Sequence, residues 1–270
     1  MRYNEFEPTP ALKKYIKCHY IIETDVPYFA DHAFATGCME IMFNMGSGSW
    51  QVNQDGGFTT TPPIELWGQI IQPMPFRVAG KGNMLGVRFL PQGAFVFLNE
   101  NLSALNNRIT DYRALAGPAI EQLHQQLLET PLLSHRIALI EKYLLKKLDA
   151  FEKKRHHLPV IQSIITDLAS SDHDEGMHRI AGRYGFTSRY LQKLFLQHTG
   201  LTPKLYQKID RFQKSLVLIG KGTHSLTSIA YECGYFDQSH FNRDFRFFTG
   251  INPSAYQPAN TTALLASPNK

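Results

Sequence analysis

One pattern of residues occurs twice in the C-terminal part of the chain, and this internal repeat constrains the fold more than any other feature. Its members are Ile180-Ala181, Gly185, Leu191, Phe195, Gly200, Pro203 and Tyr206 in the first copy, and Ile229-Ala230, Gly234, Phe241, Phe245, Gly250, Pro253 and Tyr256 in the second. The offset is 49 residues at the glycine (185 to 234) and 50 from the leucine onward (191 to 241), so the second copy has one extra residue in its turn. Each copy predicts a short helix, a glycine turn, a longer helix and a proline-started exit, which is the layout of a helix-turn-helix. Two such units in register indicate a chain that contacts DNA at two places.

The composition is that of a globular protein with room for more than one core. The 270 residues are 43% hydrophobic and 19% charged, and this length accommodates two domains of ordinary size. No run of about 18 apolar residues occurs, and the first residues lack an apolar segment, so neither a membrane span nor a secretory signal is predicted. The three cysteines (Cys18, Cys38 and Cys233) are far apart and form no CxxC pair. This usage favours the reducing cytoplasm and argues against a disulfide framework or a cysteine zinc site.

The positive charge is concentrated in the half that contains the repeat. Residues 1–155 hold 16 Lys and Arg against 15 Asp and Glu, a balance of +1, whereas residues 156–270 hold 12 against 8, a balance of +4. An excess of this sign fits a surface that binds phosphate, although many solvated surfaces are equally basic.

The first hundred residues predict short strands separated by turns. The apolar and aromatic runs are residues 19–22, 39–44, 64–68 and 85–90, and turn signals stand at residues 55–57, 61–63 and 80–83. Evenly spaced short strands of this kind favour a small β-barrel or sandwich.

Two helices are expected after this region. The first spans Pro118 to Leu128, and the second follows Pro131 with an apolar stripe of Ile137, Ile140, Leu144, Leu148 and Phe151. This stripe either packs on the strand-rich core or pairs with a second copy, which would make a homodimer through helix 132–151. We expect an N-terminal effector-binding or dimerisation domain over residues 1–151, β-rich at 1–110 and helical at 111–151, followed by a charged linker at 152–157.

The remainder is predicted to be helical almost throughout. Helices are expected over 158–170, 180–184, 189–199, 203–219, 226–233 and 238–249, with a short helix from Pro253. The fold class is therefore α+β multidomain: a small β-barrel or sandwich with flanking helices, then an all-α domain over 158–257 in which a long helix joins two helix-turn-helix units. A polar tail over 258–270 is expected to be disordered.

Aligning the two copies predicts which side chains face DNA. Thr187 and Asp237 occupy equivalent capping positions, and Gly185 and Gly234 stand where the first helix of each unit ends. Leu191/Phe241 and Phe195/Phe245 form the inward face at i and i+4. The outward positions are Ser188, Arg189, Tyr190, Gln192 and Lys193 in the first copy and Gln238, Ser239, His240, Asn242 and Arg243 in the second. Arg, Lys, Gln, Asn and His are side chains that pair with base edges, and Tyr190 fits equally well packed at the helix flank.

Residues 158–257 resemble the AraC/XylS family of bacterial transcription regulators, whose DNA-binding domain holds two helix-turn-helix units joined by a long helix. The stretch from Leu226 to Pro253 matches that family's signature almost without interruption, and Arg211-Phe212 and residues 200–203 follow its pattern. The resemblance implies that two recognition helices enter successive major-groove segments on one face of promoter DNA, with RNA polymerase as a further partner of an activator.

The resemblance also assigns roles to individual residues. Base reading is expected of Arg189, Gln192 and Lys193 in the first unit and of Gln238, Ser239, His240 and Arg243 in the second. Phosphate contacts are expected of Ser188, Lys204, Lys208, Asn242 and Arg246, which otherwise are ordinary polar surface residues.

The strand-rich half fits the effector-binding domain that many members of this family carry, but its residues identify no effector. His19 and His32, with Glu40 nearby and no His-x-His, do not form a metal-binding set, so neither a metal nor a cofactor is predicted. Trp50, Trp67, Phe76 and Phe89 are expected to be ordinary core, with a ligand-cavity lining as the alternative.

Three functions compete at this point. The leading hypothesis is a one-component regulator with a small-molecule effector or a dimerising N-terminal domain; the alternative is a regulator controlled by a protein partner. The third is a DNA-repair enzyme fused to this DNA-binding module. Cys18 and Cys38 are too isolated for that chemistry, and no phosphate loop, HExxH or G-x-S-x-G occurs, so no catalytic residue is predicted.

Overall fold

The computed structural model describes residues 2–98, 100–152, 158–170 and 177–257. The strands in chain order are β1 Arg2–Phe6, β2 Ile16–Thr24, β3 Tyr28–Ala33, β4 Glu40–Asn44, β5 Ser49–Asn53, β6 Phe58–Thr60, β7 Ile64–Trp67, β8 Met74–Ala79, β9 Gly82–Phe89 and β10 Ile109–Asp111. The helices are α1 Gly93–Leu98, α2 Arg113–Ala116, α3 Pro118–Glu129, α4 Leu133–Glu152, α5 Leu158–Ser170, α6 Met177–Arg183, α7 Ser188–Thr199, α8 Pro203–Lys221, α9 Leu226–Glu232 and α10 Gln238–Thr249. Two 3₁₀ turns lie at Leu102–Leu105 and Pro253–Ala255.

The N-terminal half is an antiparallel sandwich, which confirms the predicted β-rich fold and decides between barrel and sandwich. The first sheet has six strands in the order β1-β2-β9-β4-β7-β10, and the second has four in the order β3-β8-β5-β6. All four predicted apolar runs are strands of the six-stranded sheet: β2, β4, β7 and β9. These runs are apolar on both faces because the sheet is covered on both sides.

Alternate residues of the six-stranded sheet enter two different cores. On β4, Met42 packs into the interior of the sandwich, whereas Ile41 and Phe43 pack on the opposite face. Trp50, Trp67 and Phe76 fill the interior, and Phe89 lies in the core on the other face. The four predicted aromatic residues are therefore core, as expected.

The apolar stripe of α4 packs within its own domain. Ile140, Leu144 and Leu148 are buried in the core on the outer face of the six-stranded sheet, together with residues of α1 and α3. A buried carboxylate also fixes this helix, since Glu141 accepts hydrogen bonds from the His19 imidazole at 3.0 Å and from the Thr9 amide at 2.8 Å. A homodimer through this helix would therefore have to use other side chains, of which Leu132 and Leu145 are exposed.

The C-terminal half is helical, as predicted, and its two units share one plan. In the first unit, α5, α6 and α7 enclose a core that contains Ile161, Ile180 and Phe195. In the second, α9 and α10 pack on α8 around Phe212, Phe241 and Phe245. The predicted helix boundaries agree with the structure to within about three residues. The predicted linker lies outside the described residues except for Glu152, the last residue of α4, and the predicted tail lies entirely outside them.

The two halves are packed against each other through both units. The Gln69 amide donates to the Thr199 carbonyl at 3.2 Å, and the Asn106 amide donates to the Gly200 carbonyl at 2.8 Å, both at the end of α7. The ring of Phe95 on α1 contacts the His198 imidazole with centroids 4.1 Å apart. Two further contacts, from the Gln213 amide to the Ala35 carbonyl and from the Phe34 ring to Tyr256, connect the sandwich to α8 and to the second unit.

Candidate nucleic-acid interface

Equivalent capping residues start the second helix of each unit. The Thr187 hydroxyl accepts a hydrogen bond from the Tyr190 amide at 3.2 Å, and the Asp237 carboxylate accepts one from the His240 amide at 2.6 Å. Gly185 and Gly234 have left-handed φ values of 68° and 76°, which glycine adopts at least cost, so each ends the preceding helix as predicted. Short polar residues and glycines at these positions thus determine where α7 and α10 begin.

An aromatic residue after each glycine supports the new helix from the side. Phe186 and Tyr235 both donate their amides to alanine carbonyls of the preceding helix, Ala181 and Ala230, at 2.9 Å. The Phe186 ring meets Tyr190 edge-on with centroids 5.0 Å apart, and the Tyr235 ring meets His240 in the same way at 5.4 Å. The flank packing foreseen for Tyr190 is therefore present in both units.

The inward faces of α7 and α10 match the alignment of the two copies. Leu191, Phe195, Phe241 and Phe245 are completely buried. Because these residues stand at i and i+4, they direct the opposite side of each helix to solvent.

The residues predicted to read bases occupy the outer side of these two helices. Arg189, Gln192 and Lys193 are exposed on α7, and Ser239 and Arg243 are exposed on α10. Gln238 and His240 are half-buried, and the Gln238 side-chain oxygen accepts a hydrogen bond from the Thr227 hydroxyl at 2.7 Å. Five of the seven side chains are therefore exposed to solvent, whereas Gln238 and His240 contact residues of their own unit.

The residues predicted to bind phosphate also differ in their exposure to solvent. Lys204 and Arg246 are exposed, whereas Ser188, Lys208 and Asn242 are half-buried. The Lys208 ammonium lies 2.8 Å from an Asp244 carboxylate oxygen, so its charge already has a partner inside the protein.

Asp244 is a buried carboxylate on α10 that the sequence reasoning did not single out. It is 4% exposed and has three cationic or ionisable neighbours: Lys208 at 2.8 Å, Arg211 at 3.7 Å and His240 at 3.8 Å. The Arg211 guanidinium also lies over the Tyr235 ring, 5.0 Å from its centroid. The sequence did contain a signal for this site, because Asp244 stands three positions after Phe241 and is therefore a charged residue on the inward side of the helix. This cluster ties the second helix of unit two to α8.

A cleft of about 640 Å³ lies between the two units on the side of these helices. Its lining includes Gln192 from α7, His240 from α10, and Lys204, Lys208 and Arg211 from α8. The cleft is therefore polar and basic, and it is continuous with side chains predicted to contact DNA.

The residues that would have formed a metal set are used elsewhere. His19 pairs with Glu141, His32 stacks on Phe34 with centroids 6.4 Å apart, and Glu40 accepts from Arg88 at 2.8 Å. Burial also lowers the pKa of His19. These three side chains do not converge on one site.

The fold and this surface define a two-unit helix-turn-helix domain packed against a β-sandwich domain. A family described as helix-turn-helix domain matches residues 180–259, and a family described as domain of unknown function (DUF6597) matches residues 4–111. The DUF6597 match covers the sandwich strands, the helix-turn-helix match covers α7 to α10 and part of α6, and residues 112–179 lie between the two matches. The C-terminal part of this chain is therefore similar to helix-turn-helix domains.

Curated relatives match over a short part of the chain. The HTH-type transcriptional activators RhaS of Salmonella arizonae and Salmonella paratyphi B are each 40% identical to this chain over 67 residues, which is 25% of this chain and 24% of each relative. The chain thus spans about a quarter of the length of the curated relatives it matches.

The solved structures that match this chain share little sequence with it. ToxT from Vibrio cholerae has 13% identity and a TM-score of 0.48, with 91% of this chain and 98% of that chain covered. The AraC-like transcriptional activator CuxR has 13% identity and a TM-score of 0.34, with 76% and 84% covered. Among the described residues, no helix is long and apolar enough to cross a membrane.

Proposed function

We propose that this protein is a sequence-specific transcription regulator that binds one asymmetric promoter site through α7 and α10. The observation that carries the proposal is the pair of capped helices with buried apolar faces and polar outer faces. Arg189 and Lys193 on α7 correspond to Ser239 and Arg243 on α10, and all four are exposed. The scaffolds are equivalent while the outer side chains differ, so the two helices are suited to read different bases, about one helical turn of DNA apart.

The electrostatics support the same function. Lys204 and the half-buried Arg211 line the cleft between α7 and α10, where the DNA backbone would cross between two adjacent major-groove segments. The exposed Lys204 at this position favours a phosphate contact that sets the register of the protein on the duplex. The resemblance of residues 158–257 to AraC/XylS regulators supports this function over the DNA-repair alternative.

The experiment that tests this function is selection of genomic DNA by the purified full chain at moderate salt. We expect enrichment of a few fragments that share an asymmetric motif, with binding that weakens steeply as salt rises. Equal recovery of genomic and random DNA would show that the proposal is wrong.

We further propose that the N-terminal domain controls the DNA-binding domain through the surface between them. The sandwich interior is filled by side chains, and the cavity beside Glu40, Met42 and Trp67 measures only about 20 Å³. A cleft of about 460 Å³ lies instead between the sandwich and α8, lined in part by Lys17, Cys38 and Gln213. A small-molecule effector of this chain is therefore better accommodated between the domains than inside the sandwich.

Thermal-shift screening of metabolites tests the effector hypothesis. A compound that binds the folded chain raises its melting temperature by mass action, and replacement of the cleft residue Gln213 by Trp should abolish that shift. A protein partner in place of an effector would give no shift with any metabolite and a complex on co-purification.

We propose two macromolecular partners besides DNA, namely RNA polymerase and a second copy of the chain. RNA polymerase is the expected partner if the protein activates transcription in the cytoplasm. A homodimer through helix 132–151 would use the exposed Leu132 and Leu145, because the apolar stripe itself is buried. Sedimentation of wild-type protein and of the variant with both leucines replaced by Glu distinguishes a dimer from a monomer.

A further inference from the structure

The extra residue of the second copy is Phe236. The Phe186 and Tyr235 amides make the same 2.9 Å hydrogen bond to the preceding helix, and their rings support α7 and α10 in the same way. In the first unit the capping residue Thr187 follows Phe186 directly. In the second, Phe236 stands between Tyr235 and the capping residue Asp237. The insertion therefore adds one side chain immediately before the helix that is expected to enter the groove.

The side chain of Phe236 lies almost entirely in solvent. It is 86% exposed, more than any other large apolar side chain in the part of the chain that the structure describes. Its neighbour Tyr235 is 3% exposed and belongs to the core of the unit. The turn thus buries one aromatic ring and presents the next one outward, at the end of α10 from which base reading begins.

We propose that Phe236 is a specificity-determining residue of the second unit, whose ring packs against the 5-methyl group of a thymine in the major groove. This inference rests on the proposed DNA-binding function. The N-terminal residues of a recognition helix approach base edges most closely, and Phe236 directly precedes Asp237, the capping residue of that helix. A phenyl ring offers no hydrogen bond to a base, and the thymine methyl is the apolar group that the major groove presents.

The surroundings of Phe236 favour DNA over a protein as its partner. The residues that follow it in the chain are the capping Asp237 and the polar Gln238 and Ser239, which begin the predicted reading helix. A protein-binding site is usually a contiguous apolar patch rather than a single ring bordered by polar groups. With Phe236, the second unit reads a methyl group in addition to hydrogen-bonding groups, and the first unit has no equivalent residue.

The test uses the full chain and a promoter fragment obtained by genomic selection. Each thymine in the bound site is replaced in turn by uracil, which removes only the 5-methyl group. Wild-type protein should lose about threefold to tenfold in affinity at one thymine next to the segment contacted by α10, the range expected for one apolar group. The Phe236→Ala variant should bind the parent site more weakly by a similar factor and should show no further loss at that thymine.

Two control variants separate this effect from general damage. Phe236→Leu retains an apolar contact and should keep part of the thymine preference. Tyr28→Ala removes an exposed aromatic ring from β3 of the sandwich and should leave the uracil profile unchanged. Because Phe236 is exposed, its replacement should not alter folding, and an unchanged melting temperature verifies this.

The outcomes are distinguishable. If wild-type protein selects no DNA, the proposed function and this inference both fail. If it selects a site but no thymine depends on residue 236, the regulator function stands and the inference is overturned. Normal DNA binding by Phe236→Ala with loss of promoter activation would also overturn it, and would reassign the ring to a protein partner.

Discussion

The C-cap glycine of α7, Gly200, lies directly against the backbone of Leu102 in the N-terminal domain. A Cβ atom on Gly200 would lie 3.1 Å from both the carbonyl carbon and the carbonyl oxygen of Leu102. Gly250, the C-cap of α10, has a similar left-handed φ of 78° against 74° for Gly200, but its nearest neighbour would be Pro73 at an ordinary 3.8 Å. The two equivalent positions therefore differ in how closely the sandwich approaches them.

Replacing these glycines by alanine should measure that difference. Both variants should lose about 1–2 kcal/mol of stability because alanine is strained in the left-handed region. Gly200→Ala should lose about 1–3 kcal/mol more, since its methyl group forces the domains apart. Chemical denaturation of the two variants gives the comparison. Equal losses would mean that the domains adjust freely at this contact.

Two neighbouring lysines of α8 should respond differently to salt. Lys204 is exposed, whereas the Lys208 ammonium is held by Asp244 at 2.8 Å. Lys204→Met should reduce the slope of log affinity against log salt by about 0.9, the value for one phosphate contact. Lys208→Met should change the slope less and instead lower stability by about 1–3 kcal/mol, because it removes a partner of a buried carboxylate. Binding titrations at four salt concentrations distinguish the two; a full change of slope for Lys208→Met would make Lys208 a phosphate contact.

Two arginines of α10 provide a matched test of base reading. Arg243→Ala should weaken binding by about 1–3 kcal/mol and relax the preference at one base pair. Arg246→Ala, on the same helix, should weaken binding to all sequences alike if it contacts phosphate. Affinities for a set of single-base variants of the site give both results. A uniform loss for Arg243→Ala would remove it from the base-reading set.

A buried carboxyl group in the sandwich should make stability depend on pH. Burial raises the pKa of Glu65 from an ordinary 4.5 to about 7, and the Trp67 indole N–H donates to its carboxyl at 2.5 Å. Between these two values the folded chain holds a proton that the unfolded chain has released. Stability from this group is thus greatest below pH 4.5 and falls as the pH rises towards 7, by about 3 kcal/mol in total.

The Glu65→Gln variant isolates this effect. Glutamine cannot ionise and still offers an oxygen to Trp67, so the variant should be more stable than wild type at pH 8 by up to about 3 kcal/mol and nearly equal to it at pH 4. Denaturation of both proteins across that range provides the measurement. A constant difference at all pH values would show that Glu65 does not titrate in this window.

Local chemistry made the helical half predictable from the sequence. Gly185, Gly234, Thr187 and Asp237 act through their own backbone neighbourhoods, so their positions alone placed the starts of α7 and α10. The inward faces followed from helical periodicity, which Leu191 and Phe195 satisfy without reference to the rest of the fold.

Features that depend on distant contacts were not predictable in the same way. The carboxylate of Asp244 meets Lys208 of another helix, and that of Glu141 meets His19 of a strand more than a hundred residues away. The apolar stripe of α4 was compatible with either burial or self-association, because periodicity shows that a face is apolar but not what covers it. Strands β3, β5, β6 and β8 gave no recognised signal, because they are short and have no continuous apolar run; in β8, for example, only the alternate residues Met74, Phe76 and Val78 are buried.

Both helix-turn-helix units are fixed to the same sandwich domain, which acts as a rigid frame for them. Gln69 and Asn106 donate hydrogen bonds to the end of α7 in the first unit. Phe34 contacts Tyr256 of the second unit, and Gln213 of α8 donates to the Ala35 carbonyl. A frame of this kind leaves the protein little freedom to adjust the distance and angle between α7 and α10. Under the proposed function the duplex then has to adjust to the protein, at a cost that depends on how easily its base steps deform. We therefore expect the flexibility of the base pairs between the two contacted segments to contribute to operator choice, even where no side chain reaches them.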